Sequence, residues 1–579
     1  MSGATIPASL DELLAVRARD EPDRVQYRFL ESGGVVDMTL GELDRAAAGL
    51  ATRLRGIDGG GRILLALPAG RPFVLGFFAS IRAGAVPVPV APPGRTRVES
   101  GLEPARRVLL DCDARCVLTT AAIASAIDAH LEPDDPVRAV PVLAVERELT
   151  AAHAGGDGPG PAIDRRADDI AYLQYTSGSM TTPRGVRITN ANVLANLAVI
   201  AHGFGMRRSD TGVIWLPPHH DMGLVGGILA PLHQSFPVVL ASPQTFLQSP
   251  IRWLRWITDH GATISGGPDF AYRLLADRVR DGDLHDLDLS TWRVAFTGAE
   301  PVSPDTIERV VARLAPVGLR PDAVYPCYGL AESTLMVTGG PPGGGPDLLD
   351  VDRAGLERER VARPASDPST ARRLVGAGSP APGHDLRVVD ADRAREVPPR
   401  SVGEIWIRGP SVAAGYHGTG DDPAFGARLD GGEGPFLRTG DEGFVLDGRL
   451  FVTGRRKDVI VVEGRNLDAH DVEGAVQEAV QAPRQGLTAA FGTTDESGER
   501  FVVVHEVGRS TTTPDELRAR IQQAIGRRFG ARADEVLLVR IGSLPRTTSG
   551  KLRRAETRRR HRDNHLDVLV TTPEDGGNR

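Results

Sequence analysis

Between about Arg62 and Tyr328, short apolar runs alternate along the chain with longer stretches of helical periodicity. Four of the runs are rich in β-branched residues and fit buried strands, namely Arg62–Leu67, Val86–Val90, Val213–Leu216 and Val238–Ala241. Four neighbouring stretches fit helices, namely Pro72–Arg82, Asn192–Gly203, Pro250–His260 and Pro304–Leu314. Because strands that alternate with helices pair in parallel, this region predicts an α/β fold whose sheets carry helices on both faces.

The pattern changes in the second half of the chain. Short strands dominate Leu386–Tyr416 and Phe436–Gly454, and Asp447-Gly448 predicts a tight hairpin turn within the latter. Beyond these strands the pattern indicates a smaller α+β segment, with a helix at Pro514–Phe529 and a strand at Val536–Ile541.

A long interruption separates the two patterns. Residues Gly339–Asp347 are almost all Gly and Pro, which predicts a loop. The segment Val351–Arg373 that follows is charged and partly helical, and we interpret it as an insertion at the surface. The last residues, Thr571–Arg579, are typical of a frayed tail.

The composition excludes several classes of protein. The chain has 579 residues, of which 41% are hydrophobic and 25% charged, so it is a globular protein with room for several domains. Its net charge of −7 supplies no overall positive field for nucleic acid. We expect no membrane span, because no apolar run reaches the required length of about 18 residues. With three cysteines and no signal-peptide pattern, a cytoplasmic location is expected.

Lysine is almost absent from the sequence. Of the 68 basic residues only Lys457 and Lys551 are lysine, and the rest are arginine. A lysine ammonium is a compact charge on a flexible stem, whereas arginine is planar and forked. The two lysines are therefore either chance survivors or positions where one ammonium is needed.

The segment from Tyr175 to Gly185 is the first candidate for chemistry. It interleaves Ser and Thr with Gly after an apolar run, and such loops offer N–H and O–H donors to phosphate oxygens. It lacks the Gly-Lys-Ser/Thr of a Walker loop. A solvated turn is the alternative at this stage.

Two further motifs follow strands. His219-His220-Asp221 is a candidate for a metal site, although adjacent histidines rarely face one ion, and lining a pocket is the favoured interpretation. In the segment from Tyr325 to Ser333, Glu332 offers an oxygen ligand to Mg²⁺ and Tyr328 offers a ring for stacking. A turn without a ligand remains the alternative for this segment.

The last two candidates lie towards the C-terminus. Asp441, in Arg438-Thr-Gly-Asp-Glu-Gly443, is a carboxylate that can accept from both hydroxyls of a ribose. The segment from Leu544 to Lys551 brings a flexible Ser-Gly pair directly before the second lysine.

Taken together and in this order, the motifs resemble the adenylate-forming superfamily of acyl-CoA synthetases, nonribosomal adenylation domains and luciferases, from about Leu10 to Arg554. The segments that look most like fatty acyl-AMP ligases are Leu173–Ser179, Trp215–Leu224, Gly266–Tyr272, Tyr328–Leu335, Val351–Leu356 and Gly464–Asn466. The stretch between Glu332 and Gly376 also matches the insertion that distinguishes these ligases from CoA ligases.

The resemblance implies a role for each candidate residue. The β- and γ-phosphates of ATP would be wrapped by Thr176, Ser177, Gly178 and Ser179. The adenine pocket would be formed by Gly298, Ala299, Glu300, Pro301, Tyr328 and Gly329. Asp441 would bind the ribose hydroxyls, Arg455 the ribose or phosphates, and Glu332 would hold Mg²⁺. The catalytic residues would be Lys551, Glu332 and His220, and Lys457 would be the hinge.

The phosphate loop departs from the usual pattern of the superfamily. Threonine is usual where Met180 stands, glycine where Thr181 stands and often lysine where Arg184 stands. Because Met180 removes a hydroxyl near the triphosphate, we expect weaker ATP binding.

The reaction implied by the resemblance uses ATP and Mg²⁺. A fatty acid or other aliphatic carboxylate becomes acyl-AMP with release of pyrophosphate, and the acyl group then passes to the phosphopantetheine thiol of an acyl carrier protein. We expect that carrier to act in trans, since no carrier segment follows Arg554. The alternatives are an acyl-CoA synthetase, an amino-acid-adenylating enzyme in which Asp221 meets the ammonium, and a catalytically inactive carrier-binding protein.

The resemblance also implies the domain organisation. A large N-terminal domain, residues 1–455, would combine two βαβ-type subdomains with a β-rich subdomain and carry the insertion at 339–373. Residues 456–458 would be the hinge to a small, mobile α+β C-terminal domain, residues 459–579. The insertion is expected to restrict the rotation of that domain, so that little acyl-CoA forms.

Overall fold

The helices and strands are taken from a computed structural model that describes residues 7–31, 33–58, 61–94, 98–132, 135–149, 165–176, 183–480, 486–495, 498–508, 513–546 and 552–570. The helices in these ranges are α1 (Leu10–Asp20), α2 (Leu40–Asp58), α3 (Arg71–Arg82), α4 (Val98–Asp111), α5 (Ala121–His130), α6 (Asn190–Gly203), α7 (Ala230–Gln234), α8 (Pro243–Gln248), α9 (Ile251–His260), α10 (Asp269–Arg278), α11 (Pro304–Leu314), α12 (Ala469–Val480), α13 (Pro514–Phe529) and α14 (Arg554–Arg562). A π-helical segment, Met222–Leu229, leads into α7.

The strands of the N-terminal domain are β1 (Val25–Glu31), β2 (Gly34–Thr39), β3 (Arg62–Leu65), β4 (Val86–Pro89), β5 (Cys116–Thr119), β6 (Val142–Ala144), β7 (Ile170–Thr176), β8 (Arg184–Thr189), β9 (Gly212–Ile214), β10 (Val238–Leu240), β11 (Ile264–Gly267), β12 (Val294–Thr297), β13 (Val324–Gly329), β14 (Met336–Gly339), β15 (Asp347–Asp352), β16 (Ala371–Gly376), β17 (Ser379–Pro380), β18 (Asp385–Asp390), β19 (Arg395–Glu396), β20 (Gly403–Arg408), β21 (Leu437–Leu446) and β22 (Arg449–Arg455). Those that follow are β23 (Val459–Val462), β24 (Arg465–Asp468), β25 (Thr488–Asp495), β26 (Gly498–Val507), β27 (Glu535–Arg540) and β28 (Val568–Val570).

Two sheets with parallel centres form the α/β part, as predicted. One has the order β4-β3-β5-β6, and all of its pairs are parallel. The other has the order β17-β14-β13-β12-β11-β9-β10-β1-β2 and is parallel from β13 to β1. The ends of its parallel strands therefore meet along one edge, where β9, β11, β12 and β13 deliver the segments that carry the candidate residues.

The β-rich part is an antiparallel sheet with the order β15-β16-β22-β21-β20-β18-β19. Its β21–β22 hairpin turns at Asp447-Gly448, as predicted, and both turn residues have positive φ. The insertion adds a feature that the sequence analysis missed. β15 and β16 pair with each other and extend this sheet, so the short helical turn between them is held by strands at both ends.

The C-terminal domain has a hydrophobic core of its own. α12 and α13 pack on the sheet β25-β26-β27-β28, and the buried residues of that cluster all come from positions beyond 459. The α/β fold class, with a large N-terminal domain and a small α+β C-terminal domain, is thus confirmed. The bounds at residues 455 and 459 remain predictions.

Two helices were predicted to the residue, and capping explains why. The Ser303 side chain accepts from the Thr306 N–H before α11, and Pro304 occupies the first helical position. Thr513 and Glu516 form a capping box at the start of α13. Gly530, with φ of 58°, ends α13 in the left-handed conformation that glycine adopts most readily.

Candidate active site

The predicted phosphate loop connects two strands of a hairpin. Thr176 ends β7 and pairs with Arg184, which begins β8. The predicted phosphate ligands Ser177, Gly178 and Ser179 lie outside the described residues, as does Met180. β8 leads from this segment into α6, which begins at Asn190, two residues before the predicted helix Asn192–Gly203.

Glu332, the predicted magnesium ligand, lies in a short turn directly after β13. The Tyr416 hydroxyl donates to Glu332 Oε1 at 2.7 Å, and the Ala413 N–H donates to the Glu332 carbonyl at 2.9 Å. Burial raises the pKa of the Glu332 carboxyl, and the hydrogen bond from Tyr416 opposes that rise. The carboxylate is therefore partly withdrawn from water and fixed in direction.

Tyr416 also contacts the hairpin that carries the phosphate loop. The Arg184 guanidinium lies over the Tyr416 ring, with Cζ 3.6 Å from the ring centroid, and it forms an ion pair with Asp422. His417, which follows Tyr416, donates its N–H to the Gly185 carbonyl at 2.7 Å. One segment thus connects Glu332 to the base of the phosphate loop, and arginine at position 184 is used for stacking as well as for charge.

The predicted adenine motif, Gly298 to Pro301, follows β12 and lies beside the end of β13. The backbones approach closely here, because a Cβ at Gly298 would lie 2.7 Å from the Cys327 carbonyl oxygen. At Gly329, a Cβ would lie 1.7 Å from the Leu335 carbonyl oxygen. One Glu300 carboxylate oxygen accepts from the Phe270 N–H at 2.7 Å, so this side chain is engaged in capping α10.

Two predicted nucleotide ligands, Tyr328 and Arg455, both bond to a third, Asp441. The Tyr328 hydroxyl donates to Asp441 Oδ2 at 2.8 Å, and Arg455 Nε donates to Asp441 Oδ1 at 3.1 Å. Asp441 is only 8% exposed. Burial and the Asp441 charge raise the pKa of Tyr328, which keeps its hydroxyl protonated as a donor. Since a carboxylate has about four acceptor sites, Asp441 can still accept from ribose hydroxyls.

Of the two lysines, Lys457 lies within the described residues and Lys551 does not. Lys457 is exposed and lies in the turn Arg456–Asp458 between β22 and β23, where its carbonyl accepts from Arg558 at 3.3 Å. Lys551 lies outside the described residues, directly before Leu552. The hinge and catalytic roles of these lysines therefore stay predictions.

The histidine motif follows β9. His220 Nδ1 is 2.5 Å from Asp221 Oδ1, and Asp221 also accepts from the Met222 N–H at the start of the π-helical segment. Burial, together with the neighbouring His220, lowers the pKa of His219 to about 3, so its ring is neutral at physiological pH. Within the described ranges no cluster of three or more His, Cys, Asp or Glu is arranged to hold a metal ion, and lining a pocket is the interpretation that fits.

That pocket is small and mostly apolar. It has a volume of about 40 Å³ and is lined by His220, Trp215, Met222, Phe270 and Ala299, among others. The Trp215 and Phe246 rings stack with centroids 3.8 Å apart. This volume holds little more than one water molecule, so a larger ligand could enter only if side chains moved. A larger open groove of about 990 Å³, between α10 and α11, contains none of the predicted site residues.

The comparisons with known proteins agree with this geometry. The chain matches the model of the family described as AMP-binding enzyme over residues 14–417. This chain belongs to the AMP-binding enzyme family. It is 36% identical over 572 residues to the medium-chain-fatty-acid–[acyl-carrier-protein] ligase JamA of Moorena producens (strain JHB), across 97% of this chain and 96% of that protein.

The resemblance of this AMP-binding enzyme to fatty acyl-AMP ligases is confirmed by two more matches. The long-chain-fatty-acid–AMP ligase FadD26 of Mycobacterium bovis is 35% identical over 594 residues, across 97% of this chain and 99% of that protein. The crystal structure of the fatty acyl-adenylate ligase from L. pneumophila, in complex with acyl adenylate and pyrophosphate, is 33% identical. The match covers 98% of this chain and 98% of that one, with a TM-score of 0.75.

The insertion of this AMP-binding enzyme contacts both domains. Arg360 forms an ion pair with Glu442 of β21 at 2.8 Å. Glu357, which is 5% exposed, accepts from Arg465 Nε at 3.1 Å, and its carbonyl accepts from Asn466 Nδ2 at 3.1 Å. The insertion thus bridges β21 and β24, which belongs to the C-terminal domain.

The sequence analysis missed Tyr416 and Glu357. Tyr416 is 84 residues away from Glu332, and Glu357 is 108 residues away from Arg465. No local pattern in a single sequence connects residues so far apart. In the part of the chain that the structure describes, no helix has the length and apolar character needed to cross a membrane.

Proposed function

We propose that this AMP-binding enzyme joins a fatty carboxylate to ATP as acyl-AMP, releases pyrophosphate, and passes the acyl group to the phosphopantetheine thiol of an acyl carrier protein. The observation that supports this most directly is the cluster of Tyr328, Asp441 and Arg455, in which the charges of Asp441 and Arg455 also act on the Glu332 carboxyl. The apolar pocket begins beside Ala299 of the adenine motif, so a carboxylate held by its chain reaches the nucleotide.

In the first step, a carboxylate oxygen attacks the α-phosphorus in line and the bond to pyrophosphate breaks. The protein contributes position and charge. Asp441 holds the ribose, Gly298 to Pro301 and Tyr328 hold the adenine, and Thr176 to Ser179 hold the β- and γ-phosphates. The Lys551 ammonium neutralises charge that develops between the carboxylate and the α-phosphate.

The Glu332 carboxylate fits the oxygen ligands that Mg²⁺ prefers when it binds together with ATP. Magnesium prefers oxygen ligands and usually keeps several waters beside one or two carboxylates and the substrate phosphates. Glu332 presents one oxygen to Tyr416, which leaves the other oxygen for a metal. Bound there, Mg²⁺ would neutralise charge on the phosphates, while Tyr416 keeps the Glu332 carboxylate in a fixed direction.

In the second step, the C-terminal domain turns about Lys457, withdraws Lys551 and opens a path for the acceptor thiol. The contact between Glu357 and Arg465 opposes a full rotation, because rotation has to break a buried ion pair. A carrier-bound pantetheine arm then has an advantage over free CoA, whose nucleotide needs more room and its own partners.

The geometry speaks against an amino-acid substrate. An ammonium in the pocket would need a carboxylate partner, and Asp221 is already paired with His220 and caps the π-helical segment. We also place the enzyme in the cytoplasm, because ATP is its substrate and the chain has only three cysteines.

The deciding experiment measures pyrophosphate release with ATP, Mg²⁺ and linear carboxylates from octanoic to hexadecanoic acid, followed by mass detection of acyl-AMP. We expect carboxylate-dependent pyrophosphate and acyl-AMP. No turnover with any chain length would favour the inactive carrier-binding protein. Adding free CoA separates the remaining alternative, since efficient thioester formation would identify a CoA ligase.

A further inference from the structure

A buried carboxylate with an unusual number of donors lies in the C-terminal domain. Glu506, near the end of β26, is 1% exposed. It accepts four hydrogen bonds: at Oε1 from the Gly542 and Leu544 N–H groups, at 2.9 and 2.8 Å, and at Oε2 from the Leu487 N–H and Arg546, at 2.9 and 2.8 Å. Hydrogen bonds to a charged acceptor are strong, and a buried donor without its acceptor is costly.

Three of the four donors to Glu506 lie in the chain shortly before Lys551. Leu544 and Arg546 precede residues 547–551, and Leu552 follows them. Arg546 pairs with Leu552 in an antiparallel bridge, and the Arg553 N–H donates to the Pro545 carbonyl at 2.8 Å. The base of the segment that carries Lys551 is therefore closed by described contacts, and Glu506 holds its first side.

The chain that follows Lys551 is also held by hydrogen bonds and an ion pair. Arg554 donates to both carboxylate oxygens of Glu473, at 2.9 and 2.8 Å, and forms an ion pair with Asp458 beside the predicted hinge. The backbone at Gly486 packs closely against Glu506, because a Cβ added at Gly486 would lie 2.2 Å from the Glu506 Cβ.

We propose that Glu506 is a positioning residue for adenylation: it fixes the chain from Gly542 to Arg546, which leads into the segment that carries Lys551. This inference rests on the proposed function, in which Lys551 acts in the first step. The apolar cluster that includes Phe491, Val504, Leu537 and Leu544 already supplies hydrophobic burial in this domain, and a buried charge is costly unless it is fully hydrogen-bonded. A carboxylate is needed where four donors have to meet in one place.

The test uses the full-length protein with Glu506→Gln. The glutamine amide keeps one acceptor oxygen, but an NH2 group replaces the other oxygen and faces two N–H donors. Two of the four donors therefore lose their acceptor. We expect kcat for pyrophosphate release, with the best linear carboxylate, to fall about 10- to 100-fold, the scale of a small misplacement of a catalytic group. Transfer from supplied dodecanoyl-AMP to pantetheine should stay within about twofold of the unmodified enzyme, because Lys551 is withdrawn in that step.

Glu535→Gln is the matched control. Glu535, at the start of β27, bonds to His561 at 2.9 Å, whereas Gly542 and Leu544 follow the end of that strand. The variant therefore removes a carboxylate of the same domain that does not contact the chain before Lys551. Both half-reactions should be unchanged. Arg546→Gln is a second variant in case Glu506→Gln fails to fold, because Arg546 is 43% exposed and its loss removes only one donor. It should lower adenylation in the same direction by a smaller factor.

The decisive comparison is Glu506→Gln in a Lys551→Ala background. If Glu506 acts through Lys551, its substitution has no further effect once the lysine is gone. Additive losses, or equal losses in both half-reactions, would overturn the positioning role. An unchanged rate in Lys551→Ala alone would instead refute the proposed role of the lysine, so the two failures are distinguishable.

Discussion

The nucleotide side of the site and the C-terminal domain are held by different kinds of contact. Tyr328 of β13 and Arg455 of β22 both bond to Asp441 of β21, and all three strands belong to the N-terminal domain. The C-terminal domain is held against the insertion by ion pairs, of Arg465 with Glu357 and of Asp471 with Arg372 at 2.6 Å. The first set of contacts forms once the N-terminal domain folds. The ion pairs of the second set can break and re-form when the C-terminal domain moves.

The difference separates affinity for ATP from choice of acceptor. When the C-terminal domain rotates, both partners of such a buried ion pair return to water, so their separation costs a modest free energy that opposes rotation without preventing it. Substitutions in the first set should therefore impair adenylation, and substitutions in the second should change where the acyl group goes.

Lys551→Ala should give the largest effect and test whether the C-terminal domain acts in adenylation at all. We expect pyrophosphate release to fall about 10²–10³-fold, the scale of one lost charge stabiliser at a transition state. Thermal unfolding should be unchanged, and so should transfer from supplied acyl-AMP. Wild-type pyrophosphate release would mean that the N-terminal domain completes the first step by itself.

Asp441→Asn tests the nucleotide side directly. Losing the charge weakens the bonds from Tyr328, Arg455 and the ribose hydroxyls, so KM for ATP should rise about 10- to 100-fold, the range of hydrogen bonds to charged groups. Asp447→Asn is the matched control, because Asp447 is exposed in the turn at the far end of β21, and asparagine tolerates its positive φ. Equal KM values in both variants would remove Asp441 from the ATP site.

Glu357→Gln tests the contacts of the C-terminal domain. It leaves Arg465 without its charged partner, so rotation becomes easier and acyl-CoA formation from free CoA should rise about tenfold, or about 1.4 kcal/mol. Acyl-AMP formation should not change. Glu359→Gln is the control, because Glu359 pairs with Arg363 in the same insertion and both side chains are exposed. If the two variants behave alike, this contact does not decide the acceptor.

The sequence predicted local features of the fold well. The helices Pro304–Leu314 and Pro514–Phe529 match to the residue because their caps are encoded next to them. The turn at Asp447-Gly448 is likewise specified by its own two residues. The β15–β16 pair was missed because its polar, exposed edge carries little apolar alternation, with Val351 and Leu374 among its few buried residues.

The site was predicted through motifs, and the contacts between motifs were not. Asp441 and Tyr328 were each proposed as ligands, but nothing local indicates that one donates to the other across 113 residues. Tyr416 was not singled out at all, since a tyrosine in a loop has no distinguishing neighbour in sequence. Such pairings depend on how the two large sheets pack, which is a property of the whole chain.

Tyr416→Phe should give the smallest effect and sharpen the comparison within the N-terminal domain. Tyr416 belongs to the nucleotide side, but it contacts Glu332 and Arg184 and none of Tyr328, Asp441 or Arg455. Phenylalanine keeps the ring under the guanidinium and removes only the bond to the carboxylate, worth about 1 kcal/mol. The Mg²⁺ concentration for half-maximal pyrophosphate release should therefore rise about fivefold, while KM for ATP at saturating Mg²⁺ stays the same. Tyr325→Phe is the matched control, because the buried Tyr325 hydroxyl has no hydrogen-bond partner among the described residues. An unchanged Mg²⁺ requirement in Tyr416→Phe, or an equal change in both variants, would show that the Tyr416 hydroxyl does not orient Glu332.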